Sequence, residues 1–201
     1  IQHLLNQEKF TYCFADPRGY GGSSAMAGKH TNAEVAADVV ALADALGWQE
    51  FFYIGHSMMG KVAQYLCAHY GDRLKAAVGV CPVPACRIEL DEGGYQLFSN
   101  AWEIPANRGT VLMVTTGNRL TRSWELHMLR ESLRTTTPEA FRDYFFMWAA
   151  EDFAADVKGC TVPFLAMTGE FDLGVPTEFV KNTVVQWMPK AELHVVSNAG
   201  H

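Results

Sequence analysis

Residues 51–61 read Phe-Phe-Tyr-Ile-Gly-His-Ser-Met-Met-Gly-Lys and give the strongest indication of the fold. Its apolar first half predicts a strand, and the residues from Lys61 to Tyr70 predict the helix that follows. A serine at such a strand-to-helix turn can be held in strained backbone geometry, with its hydroxyl exposed at the carboxyl end of the strand. The first amides of the new helix point at the same place, where they stabilise an alkoxide or an oxyanion. Ser57 is therefore the candidate nucleophile.

Apolar, β-prone runs alternate with helical segments on both sides of this stretch, which indicates an α/β protein with a parallel sheet. The predicted strands are Phe10 to Ala15, Phe51 to Gly55, Ala76 to Cys81, Val162 to Met167 and Glu192 to Val196. Between the first two, Thr31-Asn32-Ala33-Glu34 predicts a capping box at the start of a helix that Gly47 ends. A last helix is expected to begin near Pro176.

Residues 82–158 lack this alternation and contain helical stretches, one of which begins at Thr137-Pro138. We therefore expect a helical cap at 82–158, inserted into a core made of residues 1–81 and 159–201. Substrate preference would be set in the cap, but no specificity residue can be named there from the sequence.

Composition excludes several classes of protein. The chain has 201 residues, 49% hydrophobic and 19% charged, which is enough apolar surface for one substantial core and too much for a disordered chain. The net charge of −6 and the dispersed arginines argue against nucleic-acid binding. No apolar run approaches the roughly 20 residues that cross a bilayer. The sequence carries no information on oligomeric state.

The five cysteines form no Cys-x-x-Cys pair, which argues against a zinc or redox motif. We interpret them as buried thiols of a reducing compartment, so a cytoplasmic location is expected. Cys81 and Cys86 bracket Pro-Val-Pro-Ala without a further Cys/His cluster nearby, and no metal site is expected there.

A serine hydroxyl needs a base, and the base needs a group that orients it. Asp172 lies in the loop after the strand that ends near Thr168, and His201 lies in the loop after the last strand. The carboxyl ends of parallel strands share one sheet edge, so both loops are expected beside Ser57. The chain order Ser, Asp, His is that of α/β-hydrolases. Glu170 is a second candidate for the acidic role.

Four segments resemble the α/β-hydrolase superfamily, in particular its small esterase-like members with a helical cap. They are Asp16-Pro17-Arg18-Gly19-Tyr20-Gly21-Gly22-Ser23, Gly55-His56-Ser57-Met58, Gly169-Glu170-Phe171-Asp172 with Pro176, and Gly200-His201. The resemblance implies Ser57 as nucleophile, His201 as base and then acid, Asp172 as its orienting carboxylate, and the Met58 N–H as an oxyanion donor. It implies a small-molecule acyl substrate and neither metal nor organic cofactor.

Two features depart from the family pattern. Met59 stands where the family has a small residue, with Gly60 one place later. The family also has further strands and an oxyanion loop before the segment that begins at Ile1, and a helix after the catalytic histidine. We therefore expect the sequence to be a fragment of a longer protein, which would lack one oxyanion donor and a central strand between the runs at Phe10 and Phe51.

Three alternatives remain beside ester hydrolysis. The same triad could serve lactone cleavage, C–C bond hydrolysis or perhydrolysis. The scaffold could bind a ligand without catalysis. Gly55 to Val62 also approaches a phosphate-binding loop, but Val62 occupies the position of the required Ser/Thr hydroxyl.

Overall fold

A four-stranded parallel sheet forms the centre of the computed structural model, which describes residues 2–201. Its strands are β1 (Phe51–His56), β2 (Leu74–Val80), β3 (Phe164–Gly169) and β4 (Ala191–Val196), in the order β1-β2-β3-β4. Every neighbouring pair is parallel. The carboxyl ends of the four strands therefore meet at one edge, and the predicted α/β class with a parallel sheet is confirmed.

Helices connect the strands. They are α1 (Asn32–Ala45), α2 (Met58–His69), α3 (Glu92–Ser99), α4 (Pro105–Thr115), α5 (Arg122–Thr135), α6 (Pro138–Ala150), α7 (Ala154–Val157) and α8 (Thr177–Val180). The last continues as a π-helical turn, Lys181–Val185, and short 3₁₀ turns occur at Gln2–Leu4, Gly21–Ser23 and Gly71–Arg73. Five of these helices, α3 to α7, lie between β2 and β3, so the predicted helical character of residues 82–158 is confirmed.

The ends of α1 follow the sequence signals. The Thr31 hydroxyl accepts a hydrogen bond from the Glu34 amide at 3.2 Å, as the capping box predicts. The Glu34 carboxylate reaches further back than in the standard box and accepts from the amides of Lys29 and His30. Beyond the helix, Gly47 adopts φ +75°, a left-handed conformation that glycine tolerates best.

The core lies between α2 and the sheet. Val62, Ala63 and Leu66 of α2 are fully buried, and the helix packs against both β1 and β2. Phe164 and Ala166 fill the inner face of β3. Burial of α2 fixes where its first residue lies, and with it the turn that holds Ser57.

Lys61 is a cation inside this core, with no exposed surface. Its ammonium donates to the carbonyls of Cys86 at 2.8 Å, Trp148 at 2.9 Å and Glu151 at 2.6 Å. Burial lowers the pKa of Lys61 to about 8. The side chain thereby ties the first turn of α2 to the carboxyl end of α6.

The strand predicted at Phe10 to Ala15 is wrong. The segment pairs with no strand among the described residues, and Cys13 and Phe52 line a common groove with Val39 and Leu42 of α1. A strand exists only where its backbone groups have a neighbouring strand to bond. The expectation of five buried thiols is wrong, because Cys13 is exposed and Cys86 and Cys160 are half-buried, although all five cysteines are free.

None of the helices within residues 2–201 is long and apolar enough to cross a membrane.

Candidate active site

Ser57 joins β1 to α2 in a backbone conformation that side-chain-bearing residues rarely adopt, with φ 56° and ψ −117°. The turn is fixed by main-chain hydrogen bonds. The Ser57 amide donates to the Val80 carbonyl at 2.8 Å, and the Ser57 carbonyl accepts from the amides of Gly60 at 2.9 Å and Val83 at 3.1 Å. The hydroxyl makes no capping hydrogen bond to α2, so it does not stabilise the start of the helix.

Two close backbone contacts explain the glycines around this turn. A Cβ on Gly55 would lie 2.1 Å from the Met59 carbonyl oxygen, and a Cβ on Gly60 would lie 2.6 Å from the Pro82 Cα. The atoms of Met59 that lie close to Gly55 are therefore main-chain atoms. The Met59 side chain is half-buried against the core, and the turn forms with methionine at this position.

His201 and Asp172 form a hydrogen-bonded pair in the loops that follow β4 and β3. The His201 Nδ1 and Asp172 Oδ2 atoms are 2.8 Å apart, and the Asp172 side chain has no exposed surface. Its other oxygen, Oδ1, accepts from the amides of Gly174 and Val175, both at 2.8 Å. Burial alone would raise the pKa of Asp172, but the hydrogen bond and charge of His201, together with hydrogen bonds from the Val175 amide and the Cys81 thiol, lower that pKa below its ordinary value.

Glu170, the other acidic candidate, is exposed and takes part in a different contact. Its Oε2 accepts from the Asn198 amide at 2.8 Å and so braces the loop after β4. Of the two carboxylates, Asp172 is the one that the structure joins to the His201 ring.

His56, the residue before Ser57, contacts His201. Its ring centroid lies 4.8 Å from that of His201, and its Nε2 is 2.9 Å from the His201 main-chain oxygen. Within residues 2–201 no hydrogen bond joins the Ser57 hydroxyl to the His201 ring. In ligand-free enzymes such bonds are often long and tighten only when substrate binds.

Met58 is the first residue of α2, so its N–H has no partner within the helix. The amide lies at the positive end of a 12-residue helix. It is therefore available to an anionic oxygen beside Ser57.

Cys81 is the neighbour that sequence reasoning missed. It follows β2 at φ 47° and is 3% exposed. Burial, reinforced by the charge of Asp172, raises the pKa of Cys81 to about 12. The only signal in the sequence was its place as the last residue of the predicted strand Ala76 to Cys81, at the edge that also holds Ser57.

A family model for the alpha/beta hydrolase fold matches residues 1–201. A non-heme haloperoxidase of Rhodococcus erythropolis is 25% identical over 214 residues, covering 98% of this chain and 78% of the relative. A bifunctional esterase/perhydrolase of Acinetobacter calcoaceticus is 27% identical over 195 residues, covering 86% of this chain and 68% of the relative. The crystal structure of a bromoperoxidase from Bacillus anthracis superposes with a TM-score of 0.81 at 21% identity, covering 92% of this chain and 72% of that one.

The strand-turn-helix at Ser57 and the parallel sheet define a protein of the α/β-hydrolase class. The chain belongs to the alpha/beta hydrolase fold family, and its relatives support a hydrolase.

Proposed function

We propose that this protein is a serine hydrolase that cleaves a small carboxylic ester or a related acyl compound through an acyl-enzyme. The observation that carries the proposal is the hydrogen bond between His201 and the fully buried side chain of Asp172, at the sheet edge where Ser57 follows β1. A histidine held at Nδ1 by a buried carboxylate keeps Nε2 available as a base.

The reaction begins when His201 Nε2 takes the proton of Ser57 and the serine oxygen attacks the substrate carbonyl. Asp172 holds the imidazole in the required tautomer and stabilises the imidazolium that forms. The Met58 amide donates to the tetrahedral oxyanion, a contribution of about 3 kcal/mol for a donor of this kind. His201 then protonates the leaving alcohol, and water activated by the same base releases the acid and regenerates Ser57.

Residues 82–158 are the proposed cap and the proposed source of substrate selection. Support comes from the end of α4, where the Thr115 carbonyl accepts a hydrogen bond from the His201 amide at 3.3 Å. The helical segment thus contacts the loop that carries the base. No organic cofactor has a role in the proposed mechanism.

Perhydrolysis is a second candidate on the same acyl-enzyme, favoured by the relative named as an esterase/perhydrolase. In that reaction hydrogen peroxide attacks the acyl-enzyme in place of water, and the product is a peroxy acid. The two candidates share Ser57, His201 and Asp172 and differ only in the second nucleophile.

Turnover of activated esters of graded acyl length, by the purified protein and by its Ser57→Ala variant, tests the proposal. We expect turnover to fall to background in the variant, because the acyl-enzyme can no longer form. Equal turnover by both would refute the serine mechanism, and no turnover by either would leave a ligand-binding role. Adding hydrogen peroxide to the assay and measuring peroxy acid separates hydrolysis from perhydrolysis.

A further inference from the structure

Three metal-ligating side chains meet at the edge of the sheet. The ligating atoms of His56, Cys81 and His201 all lie within 4.8 Å of one another. They come from the last residue of β1, the residue after β2 and the loop after β4. Because these positions are far apart in the sequence, no spacing motif reveals the set.

This donor set suits zinc. One sulfur and two imidazole nitrogens are typical ligands of Zn²⁺, whereas Mg²⁺ and Ca²⁺ require oxygen ligands. Tetrahedral bonds of about 2.0 Å to nitrogen and 2.3 Å to sulfur place ligand atoms roughly 3.5 Å apart. The set must therefore close by about 1 Å. The side chain of His56 is exposed and can move, and it binds the metal either through Nδ1 or by exchanging the contact of Nε2 with the His201 main-chain oxygen for the metal.

The surroundings of His201 match those of a metal-bound histidine. Such a residue donates its other ring N–H to a carboxylate, which fixes the ring and increases its basicity. Asp172 accepts from Nδ1 of His201 at 2.8 Å and leaves Nε2 for a metal. Cys81 carries its thiol proton in the free protein, but a coordinating cation displaces that proton.

We propose that His56, Cys81 and His201 bind a Zn²⁺ ion that inhibits the enzyme. Three protein ligands leave a fourth position for water, as in open zinc sites. The inhibitory part rests on the function proposed above, because the metal occupies Nε2 of His201, the atom that accepts the Ser57 proton. The binding part stands on the ligand set alone.

Calorimetric titration of the Ser57→Ala variant with Zn²⁺ tests the site without reference to catalysis. We expect one Zn²⁺ per chain, and no binding of Mg²⁺. In this background, His56→Gln and Cys81→Ala should each weaken Zn²⁺ binding by at least about tenfold, the lower end of the loss seen when a partner of a metal site is removed. Co²⁺ should give a thiolate charge-transfer band that Cys81→Ala abolishes.

Matched controls are available in residues of the same type outside the set. His194→Gln, on exposed β4, and Cys13→Ala, at an exposed thiol, should leave Zn²⁺ binding unchanged. Circular dichroism verifies the fold of each variant, and His56→Gln decides the matter if Cys81→Ala fails to fold. Zinc affinity that is insensitive to His56→Gln, or that falls equally in His194→Gln, overturns the site.

Inhibition is tested separately on the protein with Ser57 intact. Zn²⁺ should abolish ester turnover, EDTA should restore it, and His56→Gln should raise the inhibitory concentration by the same factor as the dissociation constant. Tight binding at the set without inhibition overturns the inhibitory role. A protein that turns over no ester refutes the proposed function, and the calorimetry then decides the metal site alone.

Discussion

Replacing Asp172 with asparagine should trap His201 in the wrong tautomer. Asp172 Oδ1 accepts from two backbone amides, those of Gly174 and Val175, and only an oxygen can fill that position. The amide nitrogen of an asparagine must therefore face His201 Nδ1 and donate to it. The proton of the neutral ring then moves to Nε2, the atom that acts as base in the proposed mechanism.

The expected loss of activity depends on the free energy that the opposite orientation of the asparagine side chain would cost. Turning the asparagine over would set its NH₂ against both backbone amides and break two buried hydrogen bonds, about 1–3 kcal/mol for each group left unpaired. The asparagine side chain therefore adopts the orientation in which its NH₂ group faces His201 Nδ1. We expect kcat for an activated ester to fall about 10⁴-fold, which corresponds to about 5.5 kcal/mol of transition-state stabilisation.

Glu170→Gln is the matched control, because it removes one carboxylate charge from the same loop. Glutamine keeps an oxygen that can accept from the Asn198 amide, so kcat should change by no more than about threefold, as for a surface substitution. The assay is steady-state hydrolysis of a chromogenic ester, with thermal unfolding to verify each fold. A kcat of Asp172→Asn within tenfold of the parent, or an equal loss in Glu170→Gln, would refute the assignment.

Three further predictions concern stability and the turn at Ser57. The pKa of Lys61 is about 8 in the folded protein, against an ordinary value of 10.5, so the unfolded chain binds more protons between these two pH values. The free energy of unfolding of the parent, relative to that of Lys61→Met, should therefore rise by about 3 kcal/mol from pH 8 to 10.5. A difference between the two proteins that stays constant with pH in urea titrations contradicts this. The lowered pKa of Asp172 contributes stability that is present above its unfolded pKa of about 4 and is lost as pH falls through the folded pKa; the gap in unfolding free energy between parent and Asp172→Asn should therefore shrink below pH 4, and a constant gap argues against it. Gly60→Ala should destabilise the protein by about 1–3 kcal/mol and reduce ester turnover, because its methyl group would meet Pro82; a variant with parental melting temperature and activity would show that the close contact does not matter.

The parts of the fold that depend on local chemistry could be predicted from the sequence. The N-cap at Thr31, the end of α1 at Gly47 and the strand-to-helix turn at Ser57 are each encoded within a few residues, and each is confirmed, although Glu34 accepts from Lys29 and His30 where the capping box predicts Thr31. The strand predicted at Phe10 to Ala15 depends on a neighbour that the local pattern cannot supply, and there the prediction is wrong.

The candidate site also has parts that could be predicted from the sequence and parts that could not. The loops that carry Asp172 and His201 were predictable, because residues after parallel strands share an edge of the sheet. The sequence could not choose between Asp172 and Glu170 without the resemblance, because both lie in one loop and only the folded chain determines which carboxylate meets the ring. The proximity of Cys81 to His56 and His201 could not be predicted from the sequence for a similar reason, because it depends on three segments that come together only in the folded chain.

In the proposed mechanism the Ser57 hydroxyl is an activated nucleophile. A fluorophosphonate reacts covalently with such a serine, and peptide mass spectrometry locates the adduct. We predict a single adduct on Ser57, formed far more slowly in the His201→Gln variant because the base is gone. An unlabelled protein, an adduct at another residue, or labelling of Ser57 at an equal rate without His201 would contradict the account.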